Sequence, residues 1–544
     1  MLYRRRTIQA FLYACVVCSI FSIFYYSYQA WHYTYGTKGP ASTWECIGSG
    51  RDRQCVVKNF CVDKETGGFA IASSYAHRRR LRNELSVNLI NADPDTDFYY
   101  EPKAKWQHDV ADIPFKNETL FVYGLYTPMH FSHMLFNGLI PLYRNIRKHV
   151  DDTSNVWTYR AHVAESASYL GSPLMTTDFF TTGRDLVRDE HELTSPQQML
   201  LPEEPICFRE AVVGTRVSCS LSLYCEQPIE SYIYAAFREA TLNYYVKEDH
   251  WKQHNKESSL HGTNRDDQAC VETMREFKTA VTSNKPTRVI GVINRGGSRH
   301  ITNLQQVMDA ILDSATERNY ILRVLDFDKG CSLASTAYVM KDVDLLLTPH
   351  GSQQGGAVFM KNNSVVISIN ARGYSENWFA FPLTAMGRRF YNFECQSSIC
   401  VDKDLERAQR TLASYDIPIP PEDILDDCLT WENDRSPDGC LIAYFDKMHI
   451  EHNPDRLQFA IGQYHKDAPR KIDVTRFMAF FEETIKEMDD FEAMSYRQIC
   501  DLEKCCGYSC DDVLGPVVYG SALEGRLLAW PQDGIGSLHH SWQE

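Results

Sequence analysis

Five apolar runs follow one another between Arg288 and Glu394: Val289-Ile290-Gly291-Val292-Ile293, Ile321-Leu322-Arg323-Val324-Leu325, Asp344-Leu345-Leu346-Leu347, Val365-Val366-Ile367-Ser368-Ile369 and Phe390-Tyr391-Asn392-Phe393. Each has strand length and is rich in aliphatic or aromatic residues. Helical spacing fills the gaps, notably at 303–313 and 333–341. Strands alternating with helices predict an α/β fold, a parallel sheet with helices on both faces. A sheet of that kind binds ligands outside the carboxyl ends of its strands.

Two polar clusters stand at such ends. The first is Asn294-Arg295-Gly296-Gly297-Ser298-Arg299-His300-Ile301-Thr302-Asn303. Guanidinium forks grip phosphate oxygens, glycines let backbone amides approach, and a helix N-terminus adds positive potential. Alone, this stretch also reads as a solvated loop capped by Thr302 or Asn303; its place after a strand favours a diphosphate site. The second cluster is Thr348-Pro349-His350-Gly351-Ser352-Gln353-Gln354-Gly355-Gly356. There Gly351 and Ser352 expose amides to an anion, and His350 can donate a hydrogen bond near a leaving phosphate.

Earlier in the chain, Leu120-Phe121-Val122-Tyr123 has strand composition. Phe131 to Tyr143 then carries apolar residues at helical spacing, with His133 and Asn137 four apart on one face. Further elements are expected at 210–214 (strand), 229–246 (helix), 271–281 (helix) and 474–488 (helix). The acidic region beyond Glu394 shows little other periodicity.

The N-terminus carries Arg4, Arg5 and Arg6 before an apolar run over 7–28, which predicts a membrane anchor with a cytoplasmic tail of residues 1–6 and a lumenal remainder. A cleaved signal peptide is the rival, disfavoured because Tyr28 stands where a small residue is expected before a cut. A stem over 29–45, a first lobe over 46–260, a second over 285–400 and an extension over 401–544 complete the organisation. Of 18 cysteines, 16 lie beyond the apolar run, an even number that suits disulfides in an oxidising compartment. Cys500, Cys505, Cys506 and Cys510 are crowded enough for a stapled module, with a zinc site as the lesser alternative. Asn117-Glu118-Thr119 and Asn362-Asn363-Ser364 are N-glycan acceptor sequons. The terminus Ser541-Trp542-Gln543-Glu544 is no retrieval signal, so a Golgi membrane is expected before the endoplasmic reticulum. A formal charge of −15 without a basic tract argues against nucleic-acid binding.

Several motifs in collinear order resemble glycosyltransferase family 61: His130-Phe131-Ser132-His133-Met134-Leu135-Phe136-Asn137; Cys207-Phe208-Arg209-Glu210 with Gly214; the Asn294 to Asn303 loop; Asp342 to Ser352 with Val358-Phe359-Met360 and Ser364-Val365-Val366-Ile367; and Trp378-Phe379 through Met386-Gly387 to Tyr391. Two stretches depart from the family pattern. Gln353 to Gly356 replaces the usual Gly-Leu-Thr-Asn, and Ser368 stands where an acidic residue is usual.

The resemblance implies two Rossmann-like lobes of the GT-B type, the acceptor on the first and a UDP-sugar (UDP-GlcNAc or a UDP-pentose) on the second. It implies an inverting transfer to a glycan or glycoprotein. Asn294, Arg295, Arg299, His350, Gly351 and Ser352 would bind the diphosphate, with His350 also catalytic. His133 would be the general base in preference to His130, which with Asn137 is placed on the acceptor side or in a structural role. A purely structural His133–Asn137 pair is the competing reading. No metal is required, since arginines and helix dipoles can neutralise the diphosphate; Asp342-Val343-Asp344 and Asp326-Phe327-Asp328 leave Mn²⁺ as the disfavoured option. A non-catalytic lumenal carbohydrate-binding protein and, more weakly, a hydrolase are the other classes considered.

Overall fold

The computed structural model describes residues 16–27, 39–90, 98–126, 130–151, 156–164, 184–188, 199–216, 229–247, 271, 274–278, 287–293, 295–314, 319–327, 331, 333–371, 379, 382–383, 388–394, 403–430, 436–492 and 526–527. Residues 1–15 and 28–38 of the expected tail, anchor and stem, together with Asn294, Asp328, Trp378, Met386, Gly387 and the Cys500–Cys510 cluster, lie outside them. Of the span expected at 7–28, residues 16–27 are described and form a largely exposed helix. Among the described residues, no helix is long and apolar enough to cross a membrane; the described part falls short of the roughly 20 residues a bilayer needs.

The first lobe contains β1 (Thr43–Ile47), β2 (Gln54–Asp63), β3 (Gly67–Ala72), β4 (Val87–Asn88), β5 (Tyr99–Tyr100), β6 (Lys103–Trp106), β7 (Phe115–Tyr126), β8 (Val156–Ala164), β9 (Asp185–Val187), β10 (Met199–Leu200) and β11 (Ile206–Val213). Nine of these form one sheet in the order β10-β9-β8-β7-β11-β2-β3-β6, with β1 added beside β2. Its half from β10 to β11 is parallel. Two disulfides staple facing registers in the other half, Cys46–Cys55 between β1 and β2 and Cys61–Cys207 between β2 and β11. Cys207-Phe208-Arg209-Glu210 and Gly214 thus build the lobe: Gly214 has φ +88°, and a Cβ there would run into Val87.

The second lobe contains β12 (Arg275–Lys278), β13 (Arg288–Ile293), β14 (Tyr320–Leu325), β15 (Leu345–Pro349), β16 (Val365–Asn370), β17 (Arg389–Glu394) and β18 (Arg526–Leu527), in the order β12-β14-β13-β15-β16-β17-β18. The five central strands are parallel. Strands β13, β15 and β16 are buried along their whole length, as expected of parallel strands covered on both faces, and so read as unbroken apolar runs. One expectation fails: Arg275–Lys278, inside the helix predicted over 271–281, is an antiparallel edge strand. Pairing with β14 and packing of Phe277 against the sheet's core override the weak local pattern.

Within the five parallel strands the chain order is second, first, third, fourth, fifth, so connections leave in opposite directions at β13 and β15. That reversal opens a crevice at their carboxyl ends. The lobes share a core there, in which Phe136, Leu139 and Leu142 of the first meet Val339, Val358 and Phe379 of the second.

Beyond β17, four helices, Leu405–Ser414, Glu422–Leu429, Pro437–Lys447 and Pro454–Asp467, bury their own core of Leu412, Leu425, Leu441, Phe445, Leu457 and Tyr464, stapled by Cys428–Cys440. A fifth, Val474–Glu492, returns to the second lobe and packs Phe477, Phe480 and Phe481 against the face that carries Ile290, Leu347 and Ile367.

Candidate active site

The crevice is built from three pieces. The first is the histidine helix, which runs as an α-turn at Phe131–His133, a π-helical stretch at Met134–Leu139 and an α-helix at Ile140–His149. Pro141 offers no N–H to the carbonyl of Asn137, which accounts for the widened turn. Gly138 lets the helix lie close on β7, where a Cβ would strike Leu125.

His133 Nδ1 lies 2.8 Å from Asn137 Oδ1. That oxygen only accepts, so Nδ1 carries the proton and Nε2 is the basic nitrogen. The His130 ring stands 4.4 Å from that of His133, and its Nδ1 is buried without a hydrogen-bond partner among the described residues.

The second piece is the His350-Gly351-Ser352 loop and the 3₁₀ helix Ser352–Phe359 after β15. His350 is buried, with its amide donating to the carbonyl of Ile369 at 3.2 Å and its ring 5.6 Å from Phe379. The loop touches the histidine helix directly: the Ser132 amide donates to Ser352 Oγ at 3.2 Å, and Ser132 Oγ donates to the Ser352 carbonyl at 2.5 Å.

Gly355 permits this approach, since a Cβ there would sit 2.8 Å from Ser132 Oγ and 3.3 Å from Ser132 Cα. The buried Gln354 donates from Nε2 to Ser368 Oγ at 2.7 Å, so two residues that break the family pattern bond to one another. Arg238 of the first lobe and Arg388 of the second both donate to the Met360 carbonyl and hold the far end of the turn.

The third piece is the arginine loop after β13. Arg295 and Arg299 converge on Gly351: a Cβ at residue 351 would collide with Arg295 Nη1 and stand 3.6 Å from Arg299 Nη1. Arg299 has left-handed backbone, φ +65°, and its Nε donates to Asp467 Oδ1 at 3.0 Å. Of the residues expected to bind the diphosphate, Arg295, Arg299, His350, Gly351 and Ser352 are thus brought together, and Asn294 is outside the described residues.

Burial first, then the charges of His133, Arg299, Lys466 and Arg295, push His130 down to about 3. Its ring stays neutral among cations. The unfolded chain, with an ordinary value of 6.5, binds this proton first. Stability is therefore whole above pH 6.5 and falls with a one-group slope of about 1.4 kcal/mol per pH unit toward pH 3. We expect His130→Asn to lose melting temperature less steeply than the wild type over that window; parallel curves would contradict the placement of His130.

Other expected residues lie apart. Asp344 Oδ2 accepts from the Val289 amide at 2.8 Å and Oδ1 from Lys361 at 2.9 Å, while Asp342 pairs with Arg323, all at the amino edge of the strands. Among the described residues no group of three or more His, Cys, Asp or Glu is placed to hold a metal. Asn117 and Asn362 are exposed. Ser132, Gly355, Lys466 and Asp467 are site residues that the sequence reading missed. The last two stand 167 and 168 positions from Arg299, with no local motif to betray them.

Residues 130–367 match the family model described as Glycosyltransferase 61. The segment belongs to glycosyltransferase family 61. The match begins at His130 and ends at Ile367 within β16, so this family 61 region contains all three pieces of the crevice, while Asp467 lies outside it. No curated protein matches the chain.

Proposed function

We propose that the protein is an inverting glycosyltransferase with two lobes arranged as in the GT-B fold, taking its sugar from a UDP-sugar, UDP-GlcNAc or a UDP-pentose, and passing it to a glycan or glycoprotein. The observation that carries this reading is the convergence of Arg295 and Arg299 on Gly351 at the reversal of strand order, in the loop whose Ser352 is bonded to Ser132 of the histidine helix.

In the proposed reaction His133 Nε2 takes the proton of an acceptor hydroxyl. The acceptor oxygen bonds to the anomeric carbon from the face opposite the diphosphate. The bond from that carbon to the β-phosphate oxygen breaks, its electron pair stays on the phosphate, and Arg295 and Arg299 stabilise the charge. His350 donates a hydrogen bond to the departing group. Two guanidinium groups supply the positive charge that a divalent ion would bring, and the transfer is metal-independent in this account. A lumenal, Golgi-membrane setting fits the disulfides Cys46–Cys55, Cys61–Cys207 and Cys428–Cys440 and the apolar N-terminal run.

A panel of UDP-sugars, read by thermal shift and by donor hydrolysis with and without EDTA, tests the reading. One donor should stabilise the protein and be consumed at a rate EDTA leaves unchanged. Binding without consumption would favour a carbohydrate-binding protein that keeps the fold, and no binding would sink both.

A further inference from the structure

Residues 468–472, outside the family 61 region, run beside the arginine loop like an added strand. The Arg470 amide donates to the His300 carbonyl at 2.7 Å, and the Thr302 amide donates to the Arg470 carbonyl at 2.7 Å, forming a parallel bridge at Ile301 and Arg470. Asn303 continues the ladder, its Nδ2 donating to the Ile472 carbonyl at 2.8 Å and its Oδ1 accepting from the Ile472 amide at 2.9 Å. At the other end Asp467 receives Arg299 twice, the guanidinium Nε at its carboxylate and the amide at its carbonyl, 3.4 Å away.

The ladder is itself braced. The buried Arg470 guanidinium donates to the carbonyls of His465, Lys466 and Ala468, closing the end of the helix Pro454–Asp467. A left-handed arginine persists only where its surroundings over-determine it, and these contacts do so for Arg299. In the last turn of the same helix Lys466 stands near enough to His130 for its charge to act on that ring beside Arg295 and Arg299.

We propose that the helical layer 404–467 is part of the donor site: through Asp467 it aims Arg299 at the diphosphate of the nucleotide sugar. The proposal rests on the transferase reading. Asp467 and Arg470 are positioning residues.

The test is UDP binding and donor kinetics of the full chain carrying Asp467→Ala or Asp467→Glu. Asp467 is 48% exposed, so its replacement should not unfold the protein. Asp467→Ala should raise the donor KM and the UDP Kd about 10-fold, the cost of one charged hydrogen bond. Glutamate should restore most of the loss.

Asp467→Ala should add nothing in an Arg299→Ala background, because its effect passes through that guanidinium. A wild type that binds UDP beside an Asp467→Ala variant that binds it equally well would overturn the proposal, as would full additivity with Arg299→Ala. Amide exchange at Thr302 in the ligand-free protein reads the positioning without nucleotide: Asp467→Ala should speed it, and unchanged exchange contradicts the clamp. A wild type that binds no UDP sinks the transferase reading, and exchange at Thr302 still decides the clamp.

Discussion

Gly351→Ala lowers kcat/KM for the donor by about 10²- to 10³-fold, the loss expected when one preorganised donor to a developing anion is displaced, and it also lowers the melting temperature, because Gly351 has φ +156°, a backbone that a residue with a side chain rarely adopts. The added Cβ would occupy the place of Arg295 Nη1 and crowd Arg299 Nη1. Both atoms are far ends of flexible side chains, so the clash itself is relieved by turning the guanidinium groups away. What is lost is their aim. Arg295→Ala should match Gly351→Ala within a few-fold, and the double variant should be little worse than either, since both remove the same contact. Steady-state kinetics over a donor series checks this; wild-type kinetics in Gly351→Ala would mean that the two arginines point elsewhere for a purpose other than the donor.

His133→Ala lowers kcat by about 10²- to 10⁴-fold, the usual contribution of a positioned general base, and leaves donor affinity intact. The ring is oriented by the bond from Nδ1 to Asn137 Oδ1, which leaves Nε2 as the nitrogen that can take a proton. Asn137→Ala keeps the imidazole but loosens its tautomer and direction, so its kcat should fall by about 10-fold, on the scale of an orienting partner. The structural alternative makes the opposite forecast: if the pair only ties the helix together, both variants lose stability alike and the folded fraction turns over at the wild-type rate.

The second lobe was legible because parallel strands buried on both faces leave unbroken apolar runs: Val289 to Ile293, Leu345 to Leu347 and Val365 to Ile369 announce themselves. Strand order is not written in such runs, and the reversal at β13 and β15 emerged only from the pairing. Arg295 and Arg299 stand out in the sequence as candidate phosphate ligands by their chemistry, and Gly351 only as a glycine beside a histidine. That Gly351 must lack a side chain because an arginine fills the space is a fact of three dimensions.

Arg275–Lys278 misled because four residues with one apolar side chain have no periodicity of their own, and β14 imposed theirs. The four helices from Leu405 to Asp467 went unread although their punctuation is present: Asp404, Ser436 and Asn453 cap first-turn amides, and Pro437 and Pro454 open helices behind two of those caps. Their apolar residues pack mainly on one another, on a stripe that an acidic background conceals. Asp467 carries no signal at all, since its meaning comes from an arginine 168 positions away.

A crystal structure of the protein with bound UDP tests the central claim most directly. The account predicts the diphosphate in the crevice at the carboxyl ends of β13 and β15, its oxygens about 3 Å from the Arg295 and Arg299 guanidinium groups and from the amides of Gly351 and Ser352. UDP lodged elsewhere, at the amino edge near Asp344 or away from the histidine helix, would contradict it.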